Sequence, residues 1–178
     1  MIAALVGVSH AAATAKASVT FAGKEYLHRW SKEGQHEFTP PGDEDLARWR
    51  EMVTVNVHGK VADAEQLADV ANRVLANYQS HGKILRTDSR PRTPQRPAEH
   101  LVVALLGNAS MLEAAFARFV LVDGVGVVVV YSRRFYGPDA ATAMGAWLQA
   151  DGPSTERALM SWDGIPAPST LNRLPEAK

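Results

Sequence analysis

The chain has 178 residues, 46% hydrophobic and 21% charged, enough for one globular domain that buries about 70% of its unfolded surface. Its 19 Lys and Arg balance its 19 Asp and Glu, so the bulk electrostatic signature of a nucleic-acid or anionic-membrane binder is missing. It has no cysteine, which excludes disulfides, thiolate catalysis and Cys-type zinc sites.

Residues 1–17, "MIAALVGVSHAAATAKA", differ from the rest. A short apolar run, Ile2 to Val8, is followed by small residues, and Ala15-Lys16-Ala17 forms an A-x-A cleavage pattern before Ser18. This resembles the apolar and cleavage regions of a secretory signal, although no Lys or Arg precedes the run. The expectation is a periplasmic or secreted protein; the alternative is an Ala-rich disordered terminus on a cytoplasmic one. No other stretch reaches the roughly 18 uninterrupted apolar residues of a membrane span.

"EYLHRW" (25–30) and "QHEFT" (35–39) flank "SKEG" and predict a hairpin with a four-residue loop. Pro40 and Pro41 cannot donate ladder hydrogen bonds and end its second strand. Asp43 is placed to cap a short helical turn through "EDLARW", after which Val53, Val55 and Val57 alternate with Thr54, Asn56 and His58 as a half-buried strand. Leu67, Val70, Ala71, Val74, Leu75 and Tyr78 form a helical stripe over 64–80. An Asp63/Gln66 capping pair precedes that stripe and Gly82 stops it. "KILRT" (83–87) reads as a strand, "RPRTPQRP" (90–97) as a loop, and "EHLVVALLG" (99–107) as a strand apolar on both faces.

Asp123-Gly124 is a dipeptide preferred in tight hairpin turns. It sets Val122 opposite Val125, and every further pair follows by counting, out to Glu113 opposite Arg134. One face then carries Ala114, Phe116, Arg118, Val120, Val127, Val129, Tyr131 and Arg133. The other is small in its middle and suits a closely packed helix. Asp139 caps "AATAMGAWLQA"; "DGP" is expected to break that helix before a shorter one from Ser154, and residues 166–178 to be a loose Pro-rich tail. Runs of hairpins with few helices predict one α+β domain over 18–165: a curved antiparallel sheet of about six to seven strands against two main helices.

That order resembles the PsbP-like superfamily, named for an extrinsic subunit of photosystem II and including a nuclear-transport regulator and bacterial envelope lipoproteins. The "EFTPP" strand end, the "MVTVNV" strand before the capped helix, and the 113–135 hairpin before "DAATAMGAWLQA" carry the resemblance over residues 25–162. The lipoproteins' lipobox cysteine is missing. The resemblance implies a non-catalytic binding or accessory protein.

Of chemistry-bearing patterns, "DGVGVVVV" lacks the helix a dinucleotide fingerprint needs, and Ser132 sits in a strand without a nucleophile elbow. Neither H-E-x-x-H nor H-x-x-E-H occurs among the six histidines, and no cofactor or metal is expected. His28 is expected to face Glu37. Asp43, Glu44 and Asp45 read as an acidic helix start rather than an acid–base pair. Arginines beside tyrosines are what protein interfaces favour. Arg118, Tyr131, Arg133, Arg134 and Tyr136, with Arg90, Arg92 and Arg96 in the Pro-rich loop, form the candidate partner-binding surface. The leading expectation is a non-enzymatic protein that binds another envelope or secreted protein. One alternative is a small-molecule carrier or enzyme with a pocket between the sheet and helix 64–80, lined by Tyr78, Trp147 and Phe116. The other is a cytosolic chaperone-like partner of secretion cargo.

Overall fold

The computed structural model describes residues 17–108 and 110–177. The signal-like reading of residues 1–17 lies outside the described residues, Ala17 excepted. The chain folds as β1 (Ser18–Phe21), β2 (Lys24–Lys32), β3 (Gln35–Thr39), β4 (Glu51–His58), α1 (Ala64–His81), β5 (Gly82–Arg90), β6 (Glu99–Asn108), β7 (Met111–Val122), β8 (Val125–Tyr136), α2 (Ala140–Met160) and α3 (Pro168–Leu171). The strands form one antiparallel sheet of eight in the order β1-β2-β3-β4-β8-β7-β6-β5. This is the expected α+β domain with two main helices, and one strand more than expected.

Two-residue turns set the hairpins. Ala22-Gly23, Glu33-Gly34 and Asp123-Gly124 each place both residues at positive φ, the backbone whose twist matches the flanking strands. Val122 pairs with Val125 and Glu113 with Arg134, as counted from the sequence. The first hairpin departs from expectation. Its turn is Glu33-Gly34 rather than four residues, and a bulge between His28 and Trp30 sets His28 opposite Phe38 and Trp30 opposite Glu37.

The pleat then separates two cores. Phe38, Val53, Val55, Phe116, Val127, Val129 and Tyr131 point to α2. Leu67, Val70 and Ala71 of α1 pack on Val102, Ala117, Phe119 and Val128 from the other face. Ala115 and Ala117 are fully buried, so their small size is what lets α1 approach. The cap of α1 forms: the Gln66 amide donates to Asp63 Oδ1 at 2.8 Å, and the Ala62 amide to Gln66 Oε1 at 2.8 Å. Gly82 does end the helix, but in extended backbone (φ −176°) that opens β5 directly. Its lack of a side chain matters because a Cβ there would strike the Leu105 carbonyl.

Three expectations need correction. Residues 43–45 are irregular and a single turn follows at 46–47, closed by the Arg48 amide on the Asp45 carbonyl, in place of a helical turn capped by Asp43. α2 continues through Pro153 as a single helix, because packing of Leu159, Met160 and Met144 into the core outweighs the one backbone hydrogen bond that proline forfeits. The Pro-rich end is seated rather than loose: Pro168 and Leu171 are buried, Leu174 packs on the same core, and the Ala177 amide donates to the Ser31 carbonyl at 2.8 Å. No helix among the described residues is long and apolar enough to cross a membrane.

Candidate functional site

The Pro40-Pro41 corner shapes one end of the sheet. β3 stops at Thr39, and its pairing with β4 ends at Phe38–Val53. Beyond that point β2 and β4 are joined by side chains instead of backbone. Glu51 Oε2 accepts from Lys24 Nζ at 2.8 Å and from the Tyr26 hydroxyl at 3.0 Å, while Oε1 accepts from Arg133 Nη1. Burial works against the Glu51 charge, yet the Lys24 and Arg133 cations and the Tyr26 hydroxyl outweigh it and hold the carboxyl below its usual range. Burial, with the Glu51 charge adding to it, pushes the Tyr131 hydroxyl up to about 12. Burial, the neighbouring Tyr131 and Glu51 push Tyr26 up as well. Both phenols stay protonated at neutral pH.

The acidic corner itself is structural. Asp43 is buried, and its carboxylate accepts from the Arg50 amide at 3.2 Å, the Glu51 amide at 3.3 Å and Arg50 Nε at 2.9 Å. It closes the 40–50 loop onto the start of β4. Arg29 closes the other side, donating to Thr39 Oγ1 at 2.9 Å and the Pro40 carbonyl at 3.2 Å.

The predicted arginine–tyrosine surface divides. Arg118 and Tyr131 are interior, each 5% exposed, and lie off the outer surface a protein partner would meet. Their strand face was assigned correctly, but α2 covers it. Arg118 donates to Glu99 Oε2 and to the Leu159 and Trp162 carbonyls, and Arg90 donates to the Met160 carbonyl. Together they hold the Leu159 and Met160 carbonyls that end α2 and the Trp162 carbonyl just beyond it, where positive charge also suits the helix dipole. Arg133, Arg134 and Tyr136 are half-buried at the end of β8. The Arg134 guanidinium stacks 3.8 Å from the Trp49 ring centroid and pairs with Glu113, and the Tyr136 hydroxyl donates to the Trp49 carbonyl. Arg92 and Arg96 stand in solvent on a small loop closed by Thr93 and Arg96 backbone bonds, beside an open cavity of 650 Å³. The eight residues therefore do not form one surface.

Sequence reasoning missed a recess on the α1 side of the sheet. α1 packs on β5, β6 and β7, leaving the same face of β2–β4 uncovered. A cavity of 450 Å³ runs along α1, lined by Gln35, Asn56 and His58 of the strands, Arg73, Asn77 and Tyr78 of the helix, and floored by Val128 and Val130. A second, of 250 Å³, continues from the same Gln35, Asn56 and His58 to Trp30 and Lys32 at the hairpin end. Burial pushes the Tyr78 hydroxyl up to about 12, with Glu113 adding to it. Burial, helped by Arg73, holds His58 below its usual value. The one legible signal was the polar phase of "MVTVNVH", which reads as solvent-facing until the strand order puts it beside α1. Of the three side chains proposed to line a pocket under helix 64–80, only Tyr78 does so. Phe116 and Trp147 pack together on the opposite face of the sheet, ring centroids 6.1 Å apart. Among the described residues, no three His, Asp or Glu side chains gather as a metal centre needs.

No family model and no curated protein matches this chain. Among solved structures, the Ran-binding protein Mog1p of Saccharomyces cerevisiae is similar at 13% identity and a TM-score of 0.49, over 76% of this chain and 81% of that one. The Pseudomonas aeruginosa protein of unknown function PA94 is similar at 13% identity and a TM-score of 0.47, over 85% of this chain and 99% of that one. Both are distant likenesses, and the resemblance to the PsbP-like superfamily continues to rest on element order.

Proposed function

We propose that the protein works by binding rather than catalysis, holding an extended segment of another protein in the recess between α1 and the uncovered half of the sheet. The observation that carries this reading is the convergence of three carboxamides, Gln35, Asn56 and Asn77, on one continuous groove. A carboxamide offers one acceptor and two donors, which matches the alternating C=O and N–H of an extended backbone. Trp30 and Tyr78 supply aromatic area at the two ends of the groove. Arg73 and Lys32 line it without an ion pair among the described residues, against a single lining carboxylate, Glu33 at the hairpin turn, while the carboxylate of Glu37 takes up the Gln35 amide. The segment bound is therefore neutral or acidic. The Glu51 carboxylate is occupied by three donors, which supports a structural or binding role over proton transfer.

Selection from a library of random linear peptides tests this. Selected peptides are expected to lose about tenfold or more in affinity on Asn56→Leu or Gln35→Leu, since each substitution strands backbone groups of the bound peptide. Arg134→Ala and Arg96→Ala should leave affinity unchanged. Peptides that ignore the groove variants and respond to the arginine variants would move the site to the arginines.

Export belongs to the same proposal. β1 begins at Ser18, directly after the A-x-A pattern, so cleavage there would leave each described strand whole and cost the bond from the His28 amide to the Ala17 carbonyl. Intact mass and cell fractionation of the natively expressed protein should give a periplasmic or secreted species starting near Ser18. A cytosolic species retaining Met1 would replace this with the chaperone-like reading, in which the bound segment is secretion cargo inside the cell.

A further inference from the structure

A second recess lies on the opposite face of the sheet from the groove, where β3 has ended and α2 passes overhead. It encloses 320 Å³ between Phe21, Tyr26 and Tyr131 on the sheet side and Ser154, Thr155 and Ala158 on α2, with Lys24 and Glu51 at its polar end. Taking about 30 Å³ for each water-sized unit, it has room for roughly ten non-hydrogen atoms. We infer that this recess is a binding site for a small planar organic anion, an aromatic or similarly flat carboxylate.

The shape and the charge argue for it separately. The Phe21 and Tyr131 rings, 2% and 5% exposed and 5.2 Å apart, form the floor of the recess, and Ala22, Thr155 and Ala158 supply its open sides, a narrow slot suited to a flat body. At the polar end the Glu51 charge by itself would repel an anion. Both of its oxygens are already occupied, by Lys24 and Tyr26 on one and by Arg133 on the other. Two cations face one carboxylate, so the cluster carries an excess positive charge. The Lys24 ammonium spends one of its three protons on Glu51 and, with its side chain 48% exposed at the rim, keeps two for a ligand. Tyr26 and Tyr131 cannot become competing anions at neutral pH, because burial beside Glu51 keeps their hydroxyls protonated. The Ser154 hydroxyl gives its proton to the Asp151 carbonyl, which leaves Lys24 as the charged donor of the site. The early end of β3 at the Pro-Pro corner is what creates the notch: with another pair of ladder bonds there, Glu51 would not need Lys24 and Tyr26 to bridge the strands.

Benzoate, with nine non-hydrogen atoms, is the probe, and benzylammonium, with eight, the control of similar size and opposite charge. Titration of benzoate into the full chain, followed by amide NMR shifts, should give a saturable response centred on Lys24, Tyr26 and Thr155. Lys24→Ala is expected to weaken it about tenfold or more, and Lys24→Glu to abolish it. Ala158→Ile, which fills the cavity from α2, should block it while Lys24 is untouched. Each variant is read only if its remaining spectrum matches that of the parent. The inference is overturned if benzoate gives no saturable shift, if the shifts map elsewhere or ignore Lys24, or if benzylammonium binds the same residues. None of these outcomes touches the peptide groove, whose variants lie on the other face.

Discussion

Replacing Arg118 with alanine is expected to lower the unfolding free energy by about 3–5 kcal/mol, the usual cost of removing one member of a buried ion pair. The guanidinium reaches Glu99 Oε2 at 3.1 Å from Nε and at 3.0 Å from Nη2, and Nη1 donates to the Leu159 and Trp162 carbonyls at 2.8 and 2.9 Å. Side-chain exposures of 6% for Arg118 and 4% for Glu99 put the pair out of reach of water. Alanine would strand a carboxylate whose remaining cation, Arg90, is 3.8 Å away, would leave the Trp162 carbonyl without its donor, and would leave the Leu159 carbonyl to backbone amides at the end of α2. The effect should concentrate there, because Leu159, Met160 and Trp162 are seated against the sheet by that end of the helix. Urea unfolding followed by tryptophan fluorescence measures it, and Glu99→Gln in the Arg118→Ala background should recover part of the loss by removing the stranded charge. A loss below about 1 kcal/mol would mean that the apolar contacts of α2 hold its end without the arginines.

Arg118 also shows what the sequence could and could not carry. Counting from Asp123-Gly124 fixed its strand face, because a two-residue turn leaves no freedom in register. The identity of its partner was not available from that count. Glu99 lies on β6 two positions from Leu101, the residue opposite Arg118, and the carbonyls come from a helix some 40 residues further along the chain. Local chemistry was legible where it was self-contained: the Asp63 cap, the end of β3 at Pro40, the hairpin of β7 and β8. It failed where an unusual residue took a special backbone angle, as with Ala22 and Glu33 at positive φ, which left β1 unseen and made the first turn too long. Pro153 failed for the opposite reason, a local rule overridden by packing. The peptide groove was hidden because it depends on α1 covering only half of one face, a property of strand order and not of any segment.

The second large effect is on acid stability. Burial lowers the proton affinity of four histidines, His28, His36, His58 and His100. In the unfolded chain each takes a proton near pH 6.5, whereas in the folded chain each resists until the pH is lower. The unfolded state therefore binds more protons in that window. Stability is fully present above about pH 6.5 and is lost as the pH falls through the folded-state values, at up to about 1.4 kcal/mol per pH unit for each histidine.

His36 is the sharpest case. It is 3% exposed, its Nδ1 is 2.7 Å from Ser31 Oγ, and that hydroxyl is 2.7 Å from His28 Nε2, so one serine links two rings. Ser31 can donate to one ring and accept from the other only while at least one of them is neutral. The second proton would repel the first, as the effect of His28 on His36 already indicates, and for His36 only Glu176 of the C-terminal segment works in the other direction. The same segment donates to the Ser31 carbonyl at 2.8 Å, which ties the tail to the hairpin that protonation strains. Unfolding free energies measured at intervals between pH 7 and pH 5 should fall steadily, and His36→Asn, which keeps a polar atom for Ser31 without a titrating ring, should flatten the slope by up to one proton while lowering stability at pH 7. A parent protein equally stable at both ends of that range, or a slope unchanged by His36→Asn, would show that the serine-linked pair is protonated without strain in the folded state.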